Sequence, residues 1–255
     1  HTSTSVSLAT GLAKARDLRG VKENIIAIIG DGSLSGGEAF EGLNVASELN
    51  TNMIIIANDN DMSIAENHGG LYKNLRELRE SNGQAQNNYF KSLGLDYIYV
   101  DKGNDLEALI EVFEKVKDID HPIVVHVHTQ KGKGLPYAEK DKETWHYGMP
   151  FDPETGEKRN SYSGGLSNDT AEFLMDKMEK DSTVAVVTSG TPTVLGFTRD
   201  RREKFAKQFI DVGIAEEQAV AMISGMAKNG GKPIYGVFST FIQRTYDQIL
   251  HDLAI

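Results

Sequence analysis

IIAIIGDGSLSGGEAF (25–40) and NMIIIANDNDMS (52–63) decide the fold of this chain. Each opens with a strand-length run of aliphatic, mostly β-branched residues and then breaks into Gly, Asp and Asn. A strand buried on both faces of a parallel sheet reads this way where it meets its loop. Phe40, Leu43 and Leu49 mark a helix between the two runs. Upstream, Val6, Ala9, Leu12, Ala13 and Ala15 fall at helical spacing, and Arg19-Gly20 closes that segment. Downstream come YIYV (97–100), a helix over 104–118 carried by Leu106, Leu109, Ile110, Phe113 and Val116, and IVVHVH (123–128). From Lys131 to Ser167 no period is visible, so that stretch is read as an ordered loop followed by an interdomain linker. The alternation then restarts with a helix over 169–180, the strand VAVVTS (184–189) and a short helix over 201–207. The strand FIDVGI (209–214), a helix over 215–228, the strand PIYGVFS (233–239) and a helix from Thr240 follow. The expected fold class is α/β, with two doubly wound, mainly parallel sheet units, the second incomplete.

Composition narrows the functions. At 39% hydrophobic and 25% charged, the 255 residues suit a soluble protein with a sizeable core. The net charge of −10 argues against nucleic acid as a partner. No apolar run approaches the length of a membrane span and no leader-like segment opens the sequence, so a cytoplasmic location is expected. There are no cysteines, which removes disulfides, thiolate metal sites and cysteine nucleophiles. The sequence opens at a histidine already leading into a helical pattern and stops at Ile255 inside an amphipathic segment. A piece of a longer polypeptide is therefore expected.

In open α/β sheets, ligands lie beyond the carboxyl ends of the strands. There the first strand offers Gly30-Asp31-Gly32 and the second Asn58-Asp59-Asn60. One carboxylate, one amide oxygen and a nearby backbone carbonyl make three hard oxygen donors. Mg2+ needs few protein ligands, since water and substrate phosphates complete its shell. GDG alone is a common turn and NDN alone a common loop; together, each ending an apolar strand, they are far more specific.

GDG followed one helix and one strand later by such an asparagine is the thiamin-diphosphate motif. GDGSLSGGEAFEGLN (30–44) with NDNDMSIAEN (58–67) resembles its form in the 1-deoxy-D-xylulose-5-phosphate synthase family. The resemblance runs from His1 to Ile255. It implies that Asp31, the Asn60 side chain and the Met62 carbonyl hold Mg2+, while Gly32 and Ser33 touch the diphosphate. It also implies that the opening His1-Thr2-Ser3-Thr4-Ser5 lines the same cofactor site. In IAEEQAV (214–220), Glu216 corresponds to the carboxyl group that hydrogen-bonds thiamin's aminopyrimidine; on its own it could simply complement a helix N-terminus. FSTFIQRTYDQILHDLA (238–254) is close to a family hallmark, with Phe241 on the pyrimidine ring and Phe238 and Arg244 toward the substrate. In TQKGKGLPYAEKDKETWHYGMPFDP (129–153), Lys131 suits a phosphate loop and His146 matches a histidine implicated in catalysis.

The implied function is condensation of pyruvate with D-glyceraldehyde 3-phosphate, releasing CO2, by a homodimer. Residues 1–158 would form the diphosphate-binding domain with its linker, and 159–255 the start of the pyrimidine-binding domain. The sequence departs from the family at Leu135 and Phe238, where tyrosines are usual, and at Glu217-Gln218 in place of Gln-His. It is also shortened between NDND and YIYV. Tyr137 stands two residues beyond Leu135. Transketolase-type ketol transfer without CO2 release, or a non-catalytic subunit keeping the fold, remain alternatives. A dinucleotide-dependent oxidoreductase is a poor third, because no G-x-G-x-x-G follows the first strand.

Overall fold

The structure is a computed structural model that describes residues 2–148, 150–159 and 165–254. His1, expected at the cofactor site, lies outside the described residues. The chain divides into two compact units, His1–Lys142 and Glu143–Ile255. The domain boundary expected near residue 158 thus falls inside the second unit.

The first unit runs α1 (Ser5–Arg19), β1 (Ile26–Gly30), a 3-10 turn (Asp31–Ser35), α2 (Gly37–Ala46), β2 (Met53–Asp59) and α3 (Gly70–Glu80). Then come α4 (Tyr89–Ser92), β3 (Asp96–Val100), α5 (Leu106–Val116), β4 (Pro122–His128) and α6 (Pro136–Lys140). The four strands are parallel in the order β1-β2-β4-β3. Gly20, in the left-handed region at φ 66°, closes α1 with its N–H on the Arg16 and Asp17 carbonyls. Asp105 caps α5 by accepting from the N–H groups of Glu107 and Ala108.

Alternation along the strands builds two cores. Ala27, Ile29, Ile55, Ala57 and Val124 face α1, α2, α3 and α4, where Leu43, Leu75, Leu78 and Phe90 are fully buried. Ile54, Val125 and Val127 face Val112 and Val116 of α5. Burying each such side chain is worth about 1.5–3 kcal/mol. Helices on both faces give the expected doubly wound layer.

Two readings are corrected here. β1 is not buried on both faces: Ile26 and Ile28 are 54% and 64% exposed. Among the described residues it is an edge strand paired with β2 alone, and α5 covers the second face over β2, β4 and β3 but not over β1. The helix after the first strand ends at Ala46, so Leu49 lies beyond it, and Phe40 is half exposed. The residue that turns inward there is Leu43.

In the second unit, α7 (Leu166–Lys180), β5 (Val184–Thr188), α8 (Arg199–Lys204), β6 (Phe209–Asp211), α9 (Glu216–Lys228) and β7 (Lys232–Gly236) form a parallel three-stranded layer ordered β6-β5-β7. Ala171, Leu174 and Met178 of α7 pack with Val184, Val186 and Phe197. β6 stops short of the expected Ile214 because Asp211 turns its carboxylate to the N–H groups of Gly190 (2.8 Å) and Gly213 (2.9 Å). The helix expected from Thr240 is instead a 3-10 turn (Ile242–Thr245) followed by a π-helical turn (Gln248–Leu253). Among the described residues no helix is long and apolar enough to cross a membrane.

Candidate cofactor site

Parallel pairing sets Gly30 beside Asn58, so Asp31 and Asn60 leave adjacent strand ends. Asp31 is 2% exposed. Its carboxylate accepts from the backbone N–H groups of Gly32 and Asn60 and from Asn67 Nδ2 at 2.6 Å. Burial, followed by the charge of Asp59, pushes Asp31 up to about 7, with those hydrogen bonds opposing. Asn60 contributes a second oxygen, for its Oδ1 is buried without a hydrogen-bond partner among the described residues. A buried amide oxygen left bare costs about 1–3 kcal/mol. A carboxylate that its surroundings hold partly protonated and an amide oxygen lacking a donor are two groups that a divalent cation would satisfy together. The donor set fits Mg2+, a hard cation that takes oxygens and no thiolate.

The loops beside these strand ends converge on the same place. A Cβ at Gly32 would stand 2.7 Å from Ser63 Cβ and 3.1 Å from Ser63 Cα, so only glycine admits the 62–67 loop this close. Lys131 donates its ammonium to the Ser63 carbonyl. Met62 bridges to Glu66 in that loop. The Tyr72 hydroxyl reaches the Asp31 and Gly32 carbonyls at 3.3 and 3.2 Å. Thr2 Oγ1 lies 3.2 Å from Ser33 Oγ, and the Ser3 hydroxyl donates to the Ser33 carbonyl at 2.7 Å. Thr2, Asp31, Gly32, Ser33, Asn60, Met62 and Lys131 therefore all belong to loops meeting at one sheet edge. Leu135 precedes the first residue of α6, on which Tyr137 is half-buried.

The sequence reading passed over Asn67, Tyr72 and a buried ionic group centred on Asp59. Asp59 Oδ2 accepts from Arg79 at 2.6 Å and lies 2.9 Å from His126 Nε2. Burial alone would raise Asp59, but hydrogen bonds from His126 and Arg79 and the guanidinium charge outweigh it and hold the carboxyl at about 2. His126 was the available signal: a titratable ring inside the apolar run IVVHVH must find a polar partner once buried.

In the second unit Glu216 opens α9 and is 2% exposed. Burial is the largest influence and raises its pKa; the Arg244 charge opposes it. Arg244 Nη1 lies 3.5 Å from Glu216 Oε2, and its Nε donates to Glu217 Oε1 at 3.1 Å. Phe241 meets Phe238 edge-on with ring centroids 5.4 Å apart. Glu216, Glu217 and Arg244 thus form one cluster. His146 sits apart in chain position, exposed in a turn where its N–H donates to the Glu143 carbonyl.

The family model described as 1-deoxy-D-xylulose-5-phosphate synthase matches residues 1–87 and 82–129, and the transketolase pyrimidine binding domain matches 168–255. The 1-deoxy-D-xylulose-5-phosphate synthases of Clostridium beijerinckii and Clostridium botulinum are each 38% identical over all of this chain and 47% of their own length. Synthase 1 of Geobacter sulfurreducens is likewise 38% identical, over 46% of its length. This chain spans about half the length of the relatives it matches. The first alignment runs over 290 positions against the 255 residues here, so that relative carries residues this chain lacks. With matches to both models at these strand ends, the chain belongs to the 1-deoxy-D-xylulose-5-phosphate synthase family.

Proposed function

We propose that this chain is the cofactor-binding portion of a transferase that uses thiamin diphosphate and Mg2+. It joins pyruvate to D-glyceraldehyde 3-phosphate and releases CO2, giving 1-deoxy-D-xylulose 5-phosphate. One observation carries the reading: the bare, buried Asn60 Oδ1 on the strand end next to Asp31, whose own carboxyl is pushed up to about 7. Residues 1–158 act as the diphosphate-binding domain with its linker, and 159–255 as the start of the pyrimidine-binding domain.

Asp31, the Asn60 amide oxygen and the Met62 carbonyl hold Mg2+. His1, Thr2, Gly32, Ser33 and Lys131 serve the diphosphate. When bound, thiamin diphosphate supplies the carbon nucleophile and the electron sink that the side chains of a protein lack. Glu216, whose pKa burial raises, hydrogen-bonds the aminopyrimidine through its carboxyl group. Phe241 gives that ring an apolar surface. Arg244 is spread across Glu216 and Glu217, so a substrate anion engages it by displacing one of these carboxylates. Phe238 borders the substrate, and His146 exchanges a proton with a substrate oxygen. A cytoplasmic homodimer completes the reading.

The test uses the full polypeptide with Mg2+, thiamin diphosphate, pyruvate and D-glyceraldehyde 3-phosphate, following CO2 and the pentulose phosphate together. Equal amounts of both are expected. Turnover of a ketose phosphate donor without CO2 would instead support transketolase-type transfer. That second reading rests on the shortened segment, where the two stretches matched by the family model meet at 82–87, and on the tyrosines replaced by Leu135 and Phe238.

A further inference from the structure

Asn60 is flanked by two carboxylates, and one guanidinium takes both. Arg79 Nη1 lies 2.6 Å from Asp59 Oδ2, and Arg79 Nη2 lies 2.7 Å from Asp61 Oδ1. Between them the backbone folds back: Asp61 sits in the left-handed region at φ 61°, and its N–H donates to Asp59 Oδ1 at 3.0 Å. Aspartate adopts that conformation more readily than most residues, and here its N–H and its carboxylate are both held. Behind Asp59 stands His126, fully buried, with Nε2 at 2.9 Å from the carboxylate and Nδ1 at 2.8 Å from the Tyr97 hydroxyl. Phe90, Tyr97 and Tyr99 fix the imidazole by ring contacts. The Thr129 hydroxyl donates to Asn58 Oδ1 at 2.7 Å, and its N–H to the Asp59 carbonyl at 2.8 Å.

Of the four side chains Asn58 to Asp61, three are therefore bound to protein partners. Within this run of four, Asn60 alone has a buried side-chain oxygen with no partner among the described residues. We propose that Arg79 is a positioning residue for the divalent cation. By gripping Asp59 and Asp61 it aims the Asn60 amide at the strand end of Asp31 and keeps two carboxylates from competing as ligands. The inference rests on the reading that Asp31 and Asn60 hold Mg2+. A planar, forked guanidinium suits the task, because it can satisfy two carboxylates at once in fixed directions; an ammonium on a flexible stem cannot hold both in that geometry. Arg79 also lies in the last turn of α3, just before residues 82–87 where the two family-model matches meet.

The experiment titrates Mg2+ and Mn2+ into the full polypeptide at saturating thiamin diphosphate, by calorimetry and by Mn2+ electron paramagnetic resonance. Metal-free thermal melting runs beside it. Arg79→Gln is expected to raise the Mg2+ Kd by about tenfold or more, the scale on which outer partners of metal ligands act. It should also alter the Mn2+ signal as the released carboxylates reach the ion, and restore most of kcat when Mg2+ is raised. Arg79→Lys should fall between wild type and Arg79→Gln. A folded Arg79→Gln whose Kd stays within about twofold of wild type while its Tm drops would overturn the proposal, leaving Arg79 a structural residue. If Arg79→Gln does not fold, Asp61→Asn opens half the clamp without stranding a buried charge, since the Asp61 side chain is 45% exposed. A raised Kd there supports the clamp, and an unchanged Kd overturns it. Wild-type protein that binds no Mg2+ with thiamin diphosphate would overturn the cofactor reading and the clamp with it, a result unlike equal binding by wild type and variants.

Discussion

Both units bury a carboxyl group where their strands end, and both carboxyls are raised by burial, but the company they keep differs. Asp31 is met by amide and N–H groups and by the repelling charge of Asp59. Glu216 has a guanidinium 3.5 Å away that opposes the rise. A cation from outside would satisfy the first site, since hydrogen bonds from amides do not neutralise a buried charge. The second already has a positive partner within the unit, the Arg244 guanidinium. Two buried carboxyls on similar sheet edges thus stand in different surroundings, one repelled by a neighbouring carboxylate and one opposed by a guanidinium.

Asp31→Asn tests the first half most severely. It keeps the shape and removes the charge, so Mg2+-dependent binding of thiamin diphosphate should fall by about a hundredfold or more in calorimetric titration. A loss under threefold would remove Asp31 from the metal site. Next in size is Glu216→Gln. Turnover should fall by about 10²–10⁴, as when a positioned acid is lost, while stability should move the other way. The sign follows from the raised pKa. The folded state favours the protonated carboxyl, so this contribution to stability is complete below the unfolded value and is lost as pH rises through the folded one. Glutamine cannot ionise, so Glu216→Gln should melt above wild type at pH 8 and level with it near pH 4. A lower Tm at pH 8 would mean that the Arg244 pair outweighs the burial of Glu216.

What the sequence could disclose follows the same division between local and distant causes. Strand runs, GDG and NDN are local, so the parallel layer and the meeting of Asp31 with Asn60 could be read from spacing. α3 was not anticipated, although Leu71, Leu75 and Leu78 lie at helical spacing, because charged residues and flanking glycines dilute the signal. Arg79 and His126 join Asp59 from 20 and 67 residues away, and no periodicity marks that pairing. β1 misled for a related reason. An unbroken apolar run marks a strand suited to burial, whereas Ile26 and Ile28 are exposed because of where β1 falls in the sheet order. The final segment misled through its amphipathic pattern, which a 3-10 turn and a π-helical turn satisfy as well as an α-helix does.

Gly32→Ala probes how closely the first site is packed. Its Cβ would press on both Ser63 Cβ and the Ser63 backbone. A loss of about 1–3 kcal/mol in denaturant unfolding is expected, the usual scale of overpacking, together with displacement of the loop that carries Met62. If stability and Mg2+ affinity both survive, the loop has room and the tight approach at Gly32 is not what shapes the site.

The smallest effect is expected on the other side of the comparison. Phe238 is 49% exposed and meets Phe241 edge-on, so the added hydroxyl of Phe238→Tyr points toward open space and should change stability by less than about 0.5 kcal/mol. Its effect should appear in KM rather than kcat, because a group that meets the substrate equally before and during reaction alters binding alone. A few-fold lower KM for D-glyceraldehyde 3-phosphate, with kcat unchanged, would put Phe238 at the acceptor's polar end. A change confined to kcat would put the ring nearer the reacting carbon. No change in either would leave Phe238 outside the substrate site and shift attention to Glu217, which already holds Arg244.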